Sequence, residues 1–386
     1  MRQEMNIIQK RLGSINEIRK VFRKKRTEEE LAFEVGRTPR DELSKLLVVC
    51  GRVSKEDISK YREKSQEIEA DFVEESAASW ITVHKNIRKT FEIGKHEALL
   101  LIGTDKQIPS TQIGHEGSLA TTDFFYQDVD GDGLPDTPVG RILGPSETIL
   151  YHMDPMVIDS NIAIVFDSQP GRSSRHVEGL ASLGLDVEVL KRFTPDEARL
   201  LSVSEFILQF SDGVYTQRIH GSPDRWASHN SVILSHEHAA SIRFEGYPLV
   251  FSEACSTAQE GLLLKAFLDQ GACYLGATLD TVNNSEPYDD WRDCPFADGV
   301  KWGFLDLLDT YDVIGQVKVN VDREIYERLD EEIVKEIDLA RTGEQPVLPS
   351  HQSLSLLEWK MFGNPMRRTT IGPEADFTPG RIVVDT

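Results

Sequence analysis

Cysteine is scarce in this chain, with four residues in 386, and their spacing excludes two roles at once. Cys50, Cys255, Cys273 and Cys294 form neither a C-x-x-C metal pair nor the dense framework of a disulfide-stapled domain. Cys50 and Cys273 sit in apolar runs and read as core thiols, whereas Cys294, beside Pro295 in a polar stretch, is expected to be more exposed. Long apolar runs are also missing. No stretch of eighteen apolar residues exists, so the sequence offers no membrane-spanning helix and no membrane partner. The amino terminus, Met1-Arg-Gln-Glu-Met-Asn6, lacks the apolar core of a secretory signal, so the cytoplasm is the expected compartment, with a processed secreted form as the other. Positive charge is short as well: 43 Lys and Arg stand against 64 Asp and Glu, a formal net charge of −21. Phosphate neutralisation needs clustered cations, so a nucleic-acid partner is excluded as an expectation.

What is present is enough chain for a substantial core and two or three domain-sized units. Oligomeric state is left open. Residues 1–44 are charged and helical in period, with Ile7, Ile8, Leu12, Ile15, Ile18 and Val21 on one stripe and a basic patch at Arg19–Arg26. They read as an amino-terminal helical arm with a solvated face, an interaction arm or a cleavable pro-segment being the alternatives. From Leu46 the pattern alternates. Leu46–Cys50, Ala70–Val73 and Ala98–Ile102 read as strands, with a helix opened by the capping signal at Ser54–Asp57 and another over Trp80–Phe91. Such alternation predicts an α/β fold with mostly parallel sheets flanked by helices. Residues 45–155 are assigned to a smaller subdomain, and Asn161–Phe166 opens a second, larger sheet in a catalytic subdomain over 156–386. Trp302–Leu308 and Asp322–Arg341 are expected to be helical, and the last twenty residues an extended surface tail.

The acidic loop Asp128-Val-Asp130-Gly-Asp132-Gly-Leu-Pro-Asp136 places carboxylates at positions 1, 3, 5 and 9 and a glycine at 6. That is the oxygen-ligand spacing of a calcium loop. The twelfth position is Val139, so the bidentate glutamate is missing, and either another segment closes the shell or the loop is a plain acidic turn. Any calcium here is expected to be structural.

The chemistry centres on two strand ends. Tyr247–Phe251 is a buried apolar run that stops at Ser252-Glu-Ala-Cys255-Ser-Thr257, ahead of a helical pattern over Ala258–Phe267. Upstream, Val214–Ile219 alternates and ends at His220-Gly221-Ser222. Ligands of open α/β sheets bind outside the carboxyl ends of strands, so both side chains are expected at the useful rim. A Cys and a His brought together there can act as thiolate nucleophile and proton carrier, with the Gly221 and Cys255 amides facing the developing oxyanion. A strand-capping His220 is the bland alternative. His236 and His238 have metal-compatible strand spacing but no third ligand, and are expected to be helix or loop histidines.

His220-Gly221-Ser222 with Glu253-Ala254-Cys255 resembles the catalytic signature of the caspase-like clan of cysteine peptidases. Leu99–Pro109, Tyr126–Asp136 running into Val139-Gly-Arg141, and Met361-Phe-Gly-Asn-Pro365 are similar to stretches of the gingipain family in particular, in the family's order, and the resemblance covers roughly residues 45 to 370. It implies a caspase-like, gingipain-type fold and a cysteine endopeptidase acting on a protein or peptide substrate through a thioester. It also implies an acidic helper for the histidine, for which Asp167 is the nearest match, although the family's residue is Glu and its loop length differs. The same loop would shape the primary pocket. Where arginine-specific gingipains carry an aspartate, this chain has Ser173 or Ser174; Arg172 and Arg175 would favour an acidic substrate residue, and Glu178 a basic one. Gly276–Ser285 resembles the family's pocket wall, with Asn283, Asn284 and Trp291 as candidates, and Trp226 is expected to pack beside the catalytic rim. A transpeptidase or ligase with the same acyl-enzyme is one alternative. A non-catalytic caspase-like binding module is another.

Overall fold

The computed structural model describes residues 35–38, 40–115, 118–158, 160–167, 174–209, 220–228, 231–279, 281, 290–294, 297–342, 355–369, 371 and 382–384. The apolar stripe expected for residues 7–21, the strand expected at Val214–Ile219, and Arg172, Ser173, Asn283 and Asn284 all lie outside them.

Eleven strands build one central sheet: β1 (Leu46–Cys50), β2 (Asp71–Glu74), β3 (Ala98–Ile102), β4 (Val139–Ile142), β5 (Ile162–Phe166), β6 (Asp186–Leu190), β7 (Phe206–Gln209), β8 (Leu249–Ser252), β9 (Cys273–Ala277), β10 (Trp359–Phe362) and β11 (Ile382–Val384). Their spatial order is β11-β6-β5-β7-β8-β9-β10-β4-β3-β1-β2. Six of them, β11 through β9, run parallel; β10 is antiparallel to β9 and parallel to β4, and β4, β3, β1 and β2 are again parallel. Where two sheets are expected from the sequence, β10 joins both halves into one. The carboxyl-terminal stretch is also part of this sheet, since β11 pairs with Val187–Val189.

The strands read as unbroken apolar runs because both faces of the sheet are buried. Along β1, Leu46, Val48 and Cys50 enter one core while Leu47 and Val49 enter another. On β8, Leu249 and Phe251 pack to one side and Val250 to the other. Alternation with period two therefore survives as alternation between two cores rather than between core and water. Helices Lys55–Glu67, Trp80–Thr90, Ser146–Met153, Leu262–Asp269, Ala297–Leu307, Ile314–Tyr326 and Glu331–Arg341 flank the sheet. None of the described helices is long and apolar enough to cross a membrane.

Several sequence expectations shift. The helix after Cys255 starts at Leu262, not Ala258, because Ala258 spends its amide on Ala277 in a turn. Residues 322–341 break into two helices, with Asp330 as the N-cap residue of the second. Cys294 is buried at 2% exposure, where an exposed thiol is expected, because the helix Ala297–Leu307 closes over it: a Cβ at Gly299 would stand 2.0 Å from its carbonyl oxygen.

A buried ion cluster locks β10 in register. Arg141 on β4, fully buried, donates from Nε and Nη2 to both oxygens of Asp123 at 2.8 and 2.7 Å, and from Nη1 to the Gly103 and Ile108 carbonyls. Lys360 on β10 donates to Asp105 at 2.7 Å and to Ser110 at 2.8 Å. Burial works against the charged form of both carboxylates, but Arg141 and Lys360 outweigh it and hold Asp105 and Asp123 below the usual carboxylate range.

Two outcomes follow for stability. A carboxylate whose folded value is depressed stabilises the fold above its unfolded value, near 4, and that contribution is lost as pH falls through the folded value. Urea-unfolding midpoints should therefore fall steeply below about pH 4. Arg141→Met should cost about 3–5 kcal/mol near neutral pH by stranding Asp123, and it should flatten that acid limb. A midpoint indifferent to both changes would show that the cluster carries no net stability.

Candidate functional site

Two of the candidate catalytic positions, Asp167 and Cys255, emerge at one edge of the central sheet. Because β5, β7, β8 and β9 are parallel, the residues following them emerge together: Asp167 after β5, Gln209 closing β7, Glu253 to Cys255 after β8, and Thr278, Leu279 and Thr281 after β9. The chain passes from β5 outward to β6 and returns to β7 on the other side of β5. That reversal is the switch point at which open α/β sheets bind ligands.

The turn that carries Cys255 is pinned from several sides. Gln209 accepts through Oε1 from the Ala254 amide at 2.7 Å and from Ser252 Oγ at 3.1 Å, and the Glu253 amide donates to the Gln209 carbonyl at 3.0 Å. Thr257 Oγ1 donates to the Ala254 carbonyl at 2.9 Å. Ser256 adopts φ of +59°, a left-handed conformation rare for a residue with a Cβ, and its amide donates to the Leu279 carbonyl at 2.8 Å. Cys255 itself stays half-buried while the other three thiols are buried. Burial pushes Cys50 and Cys273 up to about 12, so neither is a nucleophile near neutral pH.

His220 opens a short strand, His220–Ser222, in a three-stranded antiparallel sheet with Arg225–Ser228 and Ser231–Ser235. Its side chain lies outside the described part of the structure. The next residue shows where this strand sits. A Cβ at Gly221 would stand 2.1 Å from the Cys255 carbonyl oxygen, 2.7 Å from Thr257 Cγ2 and 2.8 Å from the Ala254 carbonyl carbon. Glycine is required by this close approach of two backbones, which seats the His-Gly strand directly on the cysteine turn. Trp226, the register partner of Gly221 on the adjacent strand, is fully buried between Phe166 and Phe267, with centroids at 5.6 and 5.7 Å.

Two residues not singled out from the sequence complete the turn. Thr281 Oγ1 lies 3.5 Å from Cys255 Sγ and donates to the Glu253 carbonyl at 2.8 Å. Lys301 Nζ reaches Glu253 Oε1 at 3.1 Å and Asp298 at 2.6 Å, with both members of the Glu253–Lys301 pair at most 1% exposed. Burial opposes the charge on Lys301, but Glu253 and Asp298 hold it protonated well above the usual range.

The pocket candidates fare unevenly. Ser174 and Arg175 begin the helix Ser174–Ser182, with only their backbone described. On that helix His176, Val177 and Leu180 are buried, and His176 stacks on Trp302 with centroids 4.3 Å apart, whereas Glu178 is exposed. Trp291 lies over Gly303 and donates from Nε1 to Asp306 at 2.9 Å. His238 closes a capping box on the helix His236–Ser241, a structural task.

In the acidic loop, Asp128, Asp130 and Asp132 offer carboxylate oxygens within 4.8 Å of one another, a donor set that fits calcium. Asp136 stays apart from that set, bonded to Thr137, and burial followed by repulsion from Asp130 and Asp128 raises it. A cation of the protein also reaches this loop: Arg341 pairs with Asp128 and donates to the Gly133 carbonyl at 2.5 Å. Arg88 donates to the Asp130 carbonyl at 2.8 Å.

No protein-family model matches this chain. No curated protein matches it either. Among solved structures, one described as "Structure of Protease" aligns with a TM-score of 0.53 at 14% sequence identity, over 84% of this chain and 78% of that one. At such identity the likeness is one of fold: a large, mostly parallel central sheet flanked by helices, shared with a protein described as a protease.

Proposed function

We propose that this chain is a cysteine endopeptidase of the caspase-like clan, with Cys255 as nucleophile and His220 as proton carrier. The observation that carries this reading is the contact of Gly221 with the Cys255 carbonyl, since it sets the His-Gly strand on the cysteine turn at the switch point. The likeness of fold to a protease supports it.

In the proposed reaction His220 takes the proton of the Cys255 thiol, and the sulfur attacks the scissile carbonyl carbon. The Gly221 and Cys255 amides stabilise the tetrahedral oxyanion. Its collapse breaks the C–N bond, the amine leaves with the proton from His220, and a thioester remains. Water, deprotonated by the same imidazole, then releases the acid and regenerates the thiol. Asp167, buried at the end of β5, is assigned to orient His220. Calcium, when bound by Asp128, Asp130 and Asp132, would be a structural ion sharing Asp128 with Arg341, and no step of the reaction passes through it.

The decisive experiment is a fluorogenic peptide library with wild type, Cys255→Ala and His220→Ala. Cleavage should fall by roughly 10³-fold or more in each variant, as expected for members of one catalytic unit. Undiminished cleavage by Cys255→Ala would refute the assignment, and product capture by an added amine would identify a ligase instead. Gly221→Ala should cost roughly 100-fold in kcat/KM by displacing the turn, since displacements near 1 Å have that effect. Full activity in that variant would contradict the close approach. Millimolar calcium should raise Tm without changing kcat/KM below the transition, and Asp130→Asn should abolish the rise.

A further inference from the structure

Thr281 faces the reacting sulfur, yet the proposed reaction gives it no role. Among the described residues its hydroxyl has two hydrogen-bonding neighbours, the Glu253 carbonyl oxygen at 2.8 Å and Cys255 Sγ at 3.5 Å. A carbonyl can only accept, and a threonine hydroxyl carries one proton, so that proton is directed at Glu253. What Oγ1 presents to the sulfur is a lone pair. The bond between the two side chains therefore runs from the thiol S–H to Thr281, and it exists only while Cys255 is protonated.

The carbonyl cannot easily turn away to release the hydroxyl. Glu253 is held by its amide on the Gln209 carbonyl at 3.0 Å and by its carboxylate on Lys301 at 3.1 Å, and Lys301 is in turn tied to Asp298. Reorienting it would disturb a buried ion pair and the β7–β8 ladder together. A hydrogen bond offered only to the neutral form of an acid opposes its ionisation.

We propose that Thr281 is a resting-state latch on the nucleophile: it accepts the Cys255 S–H, holds the sulfur against the pocket wall as a thiol, and lets go when the proton moves to His220. The release to His220 rests on the peptidase reading. The latch itself does not. Among the described residues, the titratable and charged groups on the elements around the sulfur are Glu253 on its own turn, Lys301 and Asp298 from the helix Ala297–Leu307, and Asp167 after β5, with His220 placed on the antiparallel strand by its backbone. A change of Thr281 to Val, Ala or Ser removes none of these charges.

The test is the pH profile of Cys255 alkylation by iodoacetamide, read at the Cys255 peptide by mass spectrometry; the other three thiols are buried. Thr281→Val should be alkylated roughly three- to tenfold faster than wild type near neutral pH, the ratio that loss of one ordinary hydrogen bond produces, and its profile should move to lower pH. Thr281→Ser keeps the acceptor and should overlay the wild type; Thr281→Ala serves if valine impairs folding. An unchanged profile in Val and Ala, or one moved to higher pH, overturns the latch, the latter by showing that the hydroxyl donates to the thiolate. Alkylation needs no turnover, so an enzyme inert toward peptides but with the predicted shift would sink the peptidase reading and leave the latch standing.

Discussion

Two cations buried in the interior, Arg141 and Lys360, set the terms for the rest of the structure. A buried charge without a partner is far costlier than a buried apolar side chain, so each must meet its carboxylate or the strand carrying it cannot stay where it is. Asp105 and Asp123 come from loops of the first half of the chain, while Lys360 sits on β10 near its end. The register that pairs Lys360 with Gly276 of β9 is the one that brings its ammonium to Asp105. A slip by one residue would turn Lys360 to the opposite face. The fusion of two parallel half-sheets into one is thus enforced by electrostatics as well as by ladder hydrogen bonds.

The same cluster reaches the turn that carries Cys255. The Asp105 amide donates to Glu260 at 2.5 Å, and Glu260 lies in the turn between Cys255 and the helix Leu262–Asp269. From the other side, Thr278 beyond β9 donates to the Thr121 carbonyl at 2.9 Å. The cysteine turn is therefore held between its own half-sheet, through Gln209, and the other half, through Glu260. A turn supported from both directions keeps its position, and Cys255 on it stays half-exposed.

Much of this is legible in the sequence because burial on both faces writes itself as uninterrupted apolar runs, so β1, β3, β5 and β8 fall where Leu46–Cys50, Ala98–Ile102, Asn161–Phe166 and Tyr247–Phe251 place them. The strand end bearing Cys255 is legible for the same reason, whereas His220 opens a short strand of a separate antiparallel sheet and the run expected to lead into it, Val214–Ile219, lies outside the described residues. What is not legible depends on partners remote in the chain. β10 carries Lys360 in its middle and does not read as a core strand until Asp105 is placed beside it. The acidic loop shows its calcium spacing openly, but nothing near it announces that Arg341 will supply a positive charge. Thr281 is one polar residue in a polar loop, and its relation to Cys255 arises only when β8 and β9 pair. Cys294 looks exposed from its neighbours and is buried by a helix that packs over it.

The net charge of −21 poses a problem that the site resolves locally. Forming a thiolate in an acidic protein is unfavourable in proportion to the carboxylates within reach, and at physiological salt reach means about 8 Å. Most of the surplus acid is thereby screened out. The carboxylate nearest in sequence, Glu253, is matched by Lys301 inside the protein, where a pair of opposite charges presents little net field to a sulfur two residues away. Asp167, directly after β5, is another described acid at this end of the sheet, and the proposed reaction assigns it to the imidazole of His220. Neutralising one carboxylate while keeping the other gives the proposed dyad its polarity: an acid that favours imidazolium, and a sulfur spared the repulsion that the overall charge would otherwise impose.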